Sequence, residues 1–234
     1  MWKRHTPPRV PPFRRATAEL VGTAALVAVV VGSGIQATAL TEDTGVRLLA
    51  NSLATVLGLG VLIALLGPVS GAHFNPVVTL AERWTARRGG PGVTTREAAL
   101  YIPAQTVGAI GGAVLANAMF GLPAVEWSTH DRSAGHLLLG ELVATAGLVL
   151  LVFGLARAGR LALAAPAVAS YIGAAYWFTS STSFANPAVT AGRAFSDTFA
   201  GIAPASLPGF VGAQLAGGAV GLALVALIFG RTPR

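Results

Sequence analysis

Two stretches of sequence decide the fold of this chain: SGAHFNPVVT at residues 70–79 and SFANPAVT at residues 183–190. Each contains an asparagine followed by proline, at Asn75 and Asn186, at the end of an apolar segment too long for one membrane crossing. Proline suits the first position of a helix because its missing N–H would have no partner there, and asparagine suits the N-cap. We therefore expect a short helix to start at each pair. Non-helical backbone at membrane depth is tolerated where protein buries it or where it lines a wet cavity, so both segments are predicted to line a pore.

The composition is that of a membrane protein. The 234 residues include 16 Lys and Arg, 9 Asp and Glu and no cysteine, and the mean hydropathy of +0.66 is too high for an ordinary soluble domain. A helix needs about 20 apolar residues to cross about 30 Å of hydrocarbon. Six segments are long enough: 20–41, 48–81, 98–125, 135–156, 161–192 and 198–230. The predicted fold class is an all-α membrane protein with six transmembrane helices and two re-entrant half-helices.

The two halves of the chain repeat one another. The matching residues are Glu19 with Glu141, Gln105 with Gln214, and the pair Gly108 and Gly112 with the pair Gly217 and Gly221. Three crossings per half is an odd number, so the second half must enter from the opposite face, which makes the repeat inverted. We expect one channel domain at 17–230, with repeats at about 17–120 and about 135–230. A basic, proline-rich tail at 1–16 and a short tail at 231–234 are expected to flank it.

The charges predict an orientation. Most arginines and lysines fall on one side of the six segments and most acidic residues on the other, and the basic side is expected to be cytoplasmic. The interpretation is a multi-pass protein of the cell membrane with both termini in the cytoplasm. This distribution explains the net charge of +7 without a nucleic-acid partner.

The doubled motif, with its paired glutamates and glutamines, resembles the aquaporin and aquaglyceroporin (major intrinsic protein) family over residues 19–229. The motif residues at the pore midplane are Asn75, Pro76, Val77, Asn186, Pro187 and Ala188, with Val77 where the family usually has alanine. The resemblance implies a homotetramer in the lipid bilayer, with one pore per subunit. Ionisable groups inside a membrane are costly and usually have a partner. The resemblance implies that Glu19 and Glu141 brace the re-entrant loops through hydrogen bonds to the backbone. A proton relay is the alternative.

A mechanism follows from the inverted repeat. Both half-helices would point their positive dipole ends at the lumen and disfavour cations there. The Asn75 and Asn186 amides would offer donors, and the carbonyls of the preceding residues would offer acceptors. Those residues are Gly71, Ala72, His73, Phe74, Thr182, Phe184 and Ala185. Such a lining suits water and small neutral hydroxylic solutes and discourages proton passage; alternatively, both asparagines only cap their helices.

The chain departs from the family pattern directly after the second motif, where Val189 occupies the usual arginine position. Ungapped spacing from the two asparagines assigns the other filter positions to Thr55, Ala174 and Ser183. In this respect the chain resembles bacterial members that lack the filter arginine, which implies a wide filter passing water, glycerol-like polyols, urea and undissociated arsenite. Arg193 is one helical turn beyond Val189. It is either a displaced filter arginine or the partner of Asp197 in a vestibule ion pair.

Neither an enzyme active site nor a metal or cofactor site is predicted. No cluster of Cys, His and carboxylates has the spacing of metal ligands, and no nucleophile and base stand out together. His73 is interpreted as a packing residue that contributes its backbone carbonyl. Two other functions stay open: an ion-coupled secondary transporter, for which Glu19 and Glu141 are the titratable groups within the spans, and a closed, structural relative of the family.

Overall fold

The computed structural model describes residues 10–87 and 92–230, and their secondary structure is helical. The α-helices are α1 (Pro12–Leu40), α2 (Thr44–Ser70), α3 (Pro76–Arg87), α4 (Thr95–Met119), α5 (Gly135–Arg157), α6 (Ala164–Phe178), α7 (Pro187–Arg193) and α8 (Leu207–Phe229). Short 3₁₀ turns at Leu161–Leu163 and Pro204–Ser206 precede α6 and α8. The predicted tail at 231–234 and the first nine residues of the predicted amino-terminal tail lie outside the described residues.

Six helices in the described part of the chain are long and apolar enough to cross a membrane: α1, α2, α4, α5, α6 with its 3₁₀ turn, and α8 with its 3₁₀ turn. The other two, α3 and α7, have 12 and 7 residues. At about 1.5 Å of rise per residue neither spans the hydrocarbon. The prediction of six crossings and two half-helices, each starting at the proline of an Asn-Pro pair, is confirmed.

The packing follows the predicted repeat. In the first half α1 packs chiefly against α4, and in the second half the equivalent helices α5 and α8 pack in the same way. The two halves meet through α2 and α6, which occupy the same place in each repeat, and α7 packs against α4. These reciprocal contacts are those of an inverted repeat around a common axis.

Glycines bring the helix backbones of each half into direct contact. A Cβ atom on Gly108 of α4 would overlap the backbone carbonyl of Leu20 on α1, and one on Gly217 of α8 would overlap that of Leu142 on α5. Gly111, on another face of α4, has no atom within 4 Å of such a Cβ. The matched glycines therefore form the packing stripe that lets neighbouring helices approach closely.

The first helix begins earlier than the sequence predicted. Its first residue is Pro12, so residues 12–16 belong to α1 and not to a tail that ends at 16. Proline at the first position fixes a helical φ, and Arg15 is held at this end by contacts with the Glu97 carboxylate and the Ser70 carbonyl oxygen. These tertiary contacts were invisible to a boundary drawn from composition.

Candidate functional site

A buried glutamate holds the loop before the first Asn-Pro pair. Glu19 lies on α1 with no solvent exposure. Its Oε1 accepts hydrogen bonds from the Ser70 hydroxyl at 2.6 Å and the His73 N–H at 3.0 Å. Its Oε2 accepts from the Phe74 N–H at 2.7 Å and from the Gln105 side-chain amide at 2.8 Å. The carboxylate thus accepts four hydrogen bonds, which is the arrangement expected of a side chain that braces the loop.

Glu141 of α5 does the same for the second loop. It accepts hydrogen bonds from the backbone N–H groups of Phe184 and Ala185, both at 2.8 Å, and from the Gln214 side-chain amide at 2.6 Å. Both glutamates act as acceptors in these bonds. Such an arrangement favours an anchoring role over a proton relay, because a protonated carboxyl would lose an acceptor site.

The two braced loops carry an unusual backbone. Five non-glycine residues of the described chain have positive φ, between 49° and 62°, and all lie just before the asparagines: Ala72, Phe74, Thr182, Ser183 and Ala185. The left-handed region costs an L-residue about 1–2 kcal/mol. Such strain persists where the surroundings over-determine it, and it clusters at functional sites. Here the hydrogen bonds from the loops to Glu19 and Glu141 supply that constraint.

Each asparagine caps its own half-helix. The Asn75 side-chain oxygen accepts from the Val77 N–H at 2.9 Å. The Asn186 oxygen accepts from the N–H groups of Ala188 and Val189 at 3.0 and 3.2 Å. Both residues therefore occupy the N-cap positions that the sequence suggested.

The same asparagines also bind each other's loops. The Asn75 amide donates to the Ala185 carbonyl at 2.8 Å, and the Asn186 amide donates to the Phe74 carbonyl at 2.7 Å. Two carbonyls proposed as solute acceptors are thus bonded across the repeat axis. Since each amide has two N–H groups, one on each asparagine is left for the lumen.

A cavity of about 480 Å³ passes both asparagines. Ten of the residues assigned to the pore from sequence line it: Thr55, Gly71, Ala72, His73, Phe74, Asn75, Ser183, Phe184, Asn186 and Val189. The other assigned residues do not line it: Pro76, Val77, Ala174, Thr182, Ala185, Pro187 and Ala188. Glu82 and Arg157 lie at one end of the cavity, and Tyr176 and Arg193 lie towards the other.

The assignment of Ala174 to the filter is wrong. Ala174 is exposed on α6, whereas Tyr176 is buried, lines the cavity and has its hydroxyl 3.2 Å from the Thr55 Oγ1. Successive helical residues are rotated by about 100°, so an error of two residues selects nearly the opposite face. Ungapped spacing made this error because it ignored the path of the loop between α6 and Asn186. An aromatic side chain therefore lines the cavity where the sequence predicted a small one.

Arg193 points into the same part of the cavity. It is 3 % exposed, its Nε donates to the Ala200 carbonyl, and its guanidinium carbon lies 3.3 Å from the centre of the Phe184 ring. Asp197 instead accepts from the Thr129 N–H at 2.9 Å and lies 3.3 Å from the His130 Nδ1. The ion pair considered between Arg193 and Asp197 is therefore not formed.

A second arginine lies over the same ring and was missed by sequence reasoning. The guanidinium carbon of Arg132 is 5.0 Å from the centre of the Phe184 ring, and its Nε donates to the Gly201 carbonyl at 2.9 Å. Burial lowers the pKa of Arg132 from its usual value, and the charge of Glu141 opposes that shift. Arg132 precedes α5 in a loop without periodicity, so the sequence carried no signal for this contact.

The opposite end of the cavity contains a histidine and a carboxylate. His73 contacts the Glu82 carboxylate through Nε2, and its Nδ1 lies 3.0 Å from the Thr79 Oγ1. Sequence reasoning treated His73 as a packing residue and did not select Glu82. The repeat did hold a signal, since Glu82 follows Asn75 at the same distance as Arg193 follows Asn186.

Six spans, two half-helices and a lumen lined by paired asparagines define a multi-pass membrane protein built around a pore. The Major intrinsic protein family model matches residues 8–183. The chain is 50% identical over 212 residues to the aquaglyceroporin AqpS of Rhizobium meliloti (strain 1021), covering 91% of this chain and 88% of that protein. The chain belongs to the major intrinsic protein family, whose members are membrane channels and not enzymes.

Two further comparisons agree. Aquaporin-2 of Rattus norvegicus is 35% identical over 147 residues, which covers 60% of this chain and 51% of that protein. The X-ray structure of the aquaglyceroporin from Plasmodium falciparum matches with a TM-score of 0.66 and 20% identity, over 95% of this chain and 97% of that one. At this level of identity, the structural match establishes the fold.

Proposed function

We propose that this chain is a passive channel for water and for small neutral solutes of the glycerol type, and that undissociated arsenite also passes. The observation that carries the proposal is that Asn75 and Asn186 line the same cavity. The two asparagines offer hydrogen-bond donors at its midpoint, where the dipoles of α3 and α7 disfavour cations.

The solute class is supported by the residue after the second motif and by one relative. Val189 lines the cavity without offering a charge or a side-chain hydrogen bond, so it leaves more room than arginine would. A relative that is 50% identical is called an aquaglyceroporin. Tyr176 favours smaller solutes, because its ring limits the width of the filter that the small residues would otherwise leave open. The filter we propose consists of Thr55, Tyr176, Ser183 and Val189.

We further propose that the protein lies in the cell membrane as a homotetramer, with both termini cytoplasmic. The orientation is supported by the charges. Arginines are in excess on the side of the spans where α3 ends and α4 begins, and such an excess is typical of the cytoplasmic side. Large apolar side chains cover the outer face of α2, where Leu53, Leu57, Val61 and Leu65 are exposed. Such a surface needs lipid or another subunit against it.

The test is stopped-flow light scattering of proteoliposomes challenged with glycerol. We expect rapid shrinkage as water leaves and then accelerated reswelling as glycerol enters, both faster than in protein-free liposomes. Urea and arsenite are then tested in the same way. Shrinkage without faster reswelling would refute the polyol proposal, and no acceleration of either phase would point to a closed, structural protein.

A further inference from the structure

The outer end of the cavity contains a cation that no side chain neutralises. Val189 and Arg193 are four residues apart on α7 and therefore share one face of the helix, and both line the cavity. Arg193 forms no salt bridge with any carboxylate among the described residues. A guanidinium this deeply buried is costly unless polar groups or solvent surround it.

The Arg193 side chain is fixed without being neutralised. Its Nε donates to the Ala200 carbonyl, and its guanidinium carbon lies 3.3 Å from the centre of the Phe184 ring, where the aromatic face attracts a cation. Its two terminal amino groups make no hydrogen bond to any residue within 10–87 or 92–230. They are therefore held in place but left available on the cavity side.

A second polar group of the cavity lining, adjacent in sequence to Phe184, has no partner. The Ser183 Oγ is buried and lines the cavity, yet no described residue hydrogen-bonds to it. Ser183 has a φ of 52° in the loop that Glu141 braces. An unsatisfied buried hydroxyl is expensive, so a group that enters the cavity is expected to complete it.

We propose that Arg193 and Ser183 form a solute-binding subsite that takes over the role of the arginine missing at Val189. The guanidinium only donates, whereas the serine hydroxyl both donates and accepts. Together they fit a neutral solute with hydroxyl or carbonyl oxygens, such as a polyol, urea or an undissociated oxyacid. The proposal rests on the proposed channel function and names the residues that select its solutes.

The subsite also explains how cations are kept out. Arg132 lies over the same Phe184 ring without lining the cavity, so a second positive charge lies near the Arg193 guanidinium. Cations are repelled by this pair, while a neutral solute gains a hydrogen bond from Arg193. Selection at the outer end thus depends on hydrogen bonding and charge as well as on width.

The test compares Ser183→Ala, Arg193→Met and the control Arg47→Met in proteoliposomes. Ser183→Ala removes only the hydroxyl, and we expect glycerol permeability to fall about three- to tenfold, as for one lost hydrogen bond, with water permeability near wild type. Arg193→Met keeps the length of the side chain without its charge, and we expect a sodium leak that wild type lacks. Arg47 pairs with exposed Glu42 away from the cavity, so Arg47→Met should match wild type.

The outcomes separate this inference from the channel function. If wild type conducts glycerol and Ser183→Ala keeps the wild-type ratio of glycerol to water permeability, the subsite is refuted even if Arg193→Met fails to fold. If Arg193→Met folds and excludes sodium as wild type does, the role of its charge is refuted. If wild type itself conducts nothing, the proposed function fails instead.

Discussion

Glu82 and Arg193 occupy equivalent positions in the two half-helices, seven residues after Asn75 and Asn186 respectively. Both line the cavity. Glu82 contacts His73, and Arg193 lies over Phe184. The inverted repeat therefore places a negative group at one end of the pore and a positive group at the other.

Removing either bracing glutamate should destabilise the fold. Glu19→Ala leaves four donors without their acceptor, three of them buried and one partly buried, and Glu141→Ala leaves three buried donors; each unsatisfied buried group costs about 1–3 kcal/mol. Thermal unfolding in detergent should show a large loss of stability for both variants, the larger for Glu19→Ala. The control is Glu42→Ala, whose side chain is 98 % exposed. A wild-type melting temperature for Glu19→Ala would contradict the bracing role.

Alanine should be tolerated at one glycine of α4 and not at another. Gly108→Ala drives a methyl group into the Leu20 carbonyl and must push α1 away, whereas Gly111→Ala meets open space. Both substitutions add the same methyl group and the same helix propensity, so propensity cannot explain a difference. We expect Gly108→Ala to melt at a clearly lower temperature and Gly111→Ala to match or exceed wild type. Equal stabilities would show that close helix contact is not required.

Arginine at Val189, which we propose as a filter position, should narrow the pore. Val189→Arg adds a long cation one turn before Arg193 on the same face of α7. Glycerol flux should fall more than water flux, because the larger solute needs the space that arginine fills. Parallel measurements of shrinkage and reswelling give both fluxes. If glycerol permeability equals that of wild type, Val189 does not lie at the constriction.

Acid should loosen the loop that contains Asp197. The Thr129 N–H, followed by the Thr129 hydroxyl and His130, lowers the pKa of Asp197 below its usual 3.8. Because the pKa is lowered in the folded state, the ionised Asp197 stabilises the fold at pH values above 3.8. This contribution is lost as the pH falls through the lowered pKa. Hydrogen exchange at residues 127–130 should therefore lose protection below pH 3.8.

The variant Asp197→Asn supplies the control for this effect. It removes the charge but keeps the size of the side chain, so it should already show reduced protection at neutral pH and no further acid-induced step. An acid step of wild-type size in Asp197→Asn would assign the effect to another group.

The fold could largely be predicted from the sequence, because the patterns that determine it are short and occur once in each half of the chain. Apolar length predicts the spans, Asn-Pro predicts the starts of α3 and α7, and the matched glutamates and glycines predict the repeat. The start of α1 was less readable, since Arg15 extends the helix through contacts with residues distant in sequence.

The proposed filter was the part least accessible to sequence reasoning. Whether Ala174 or Tyr176 faces the lumen depends on a loop path that spacing alone does not give. Stacking of Arg132 on Phe184 depends on the route of an irregular loop. Arg193 was noticed, but its Nε donates to the Ala200 carbonyl, while Asp197 accepts hydrogen bonds from Thr129. Each miss concerns the direction of a side chain and not the existence of an element.

The most direct test of the account is the initial rate of glycerol reswelling as a function of the glycerol gradient. Proteoliposomes are measured with and without an imposed proton or sodium gradient. A passive channel predicts a rate that is proportional to the glycerol gradient and unchanged by either ion gradient. A rate that saturates and rises with an imposed ion gradient would contradict the channel account and identify a coupled transporter.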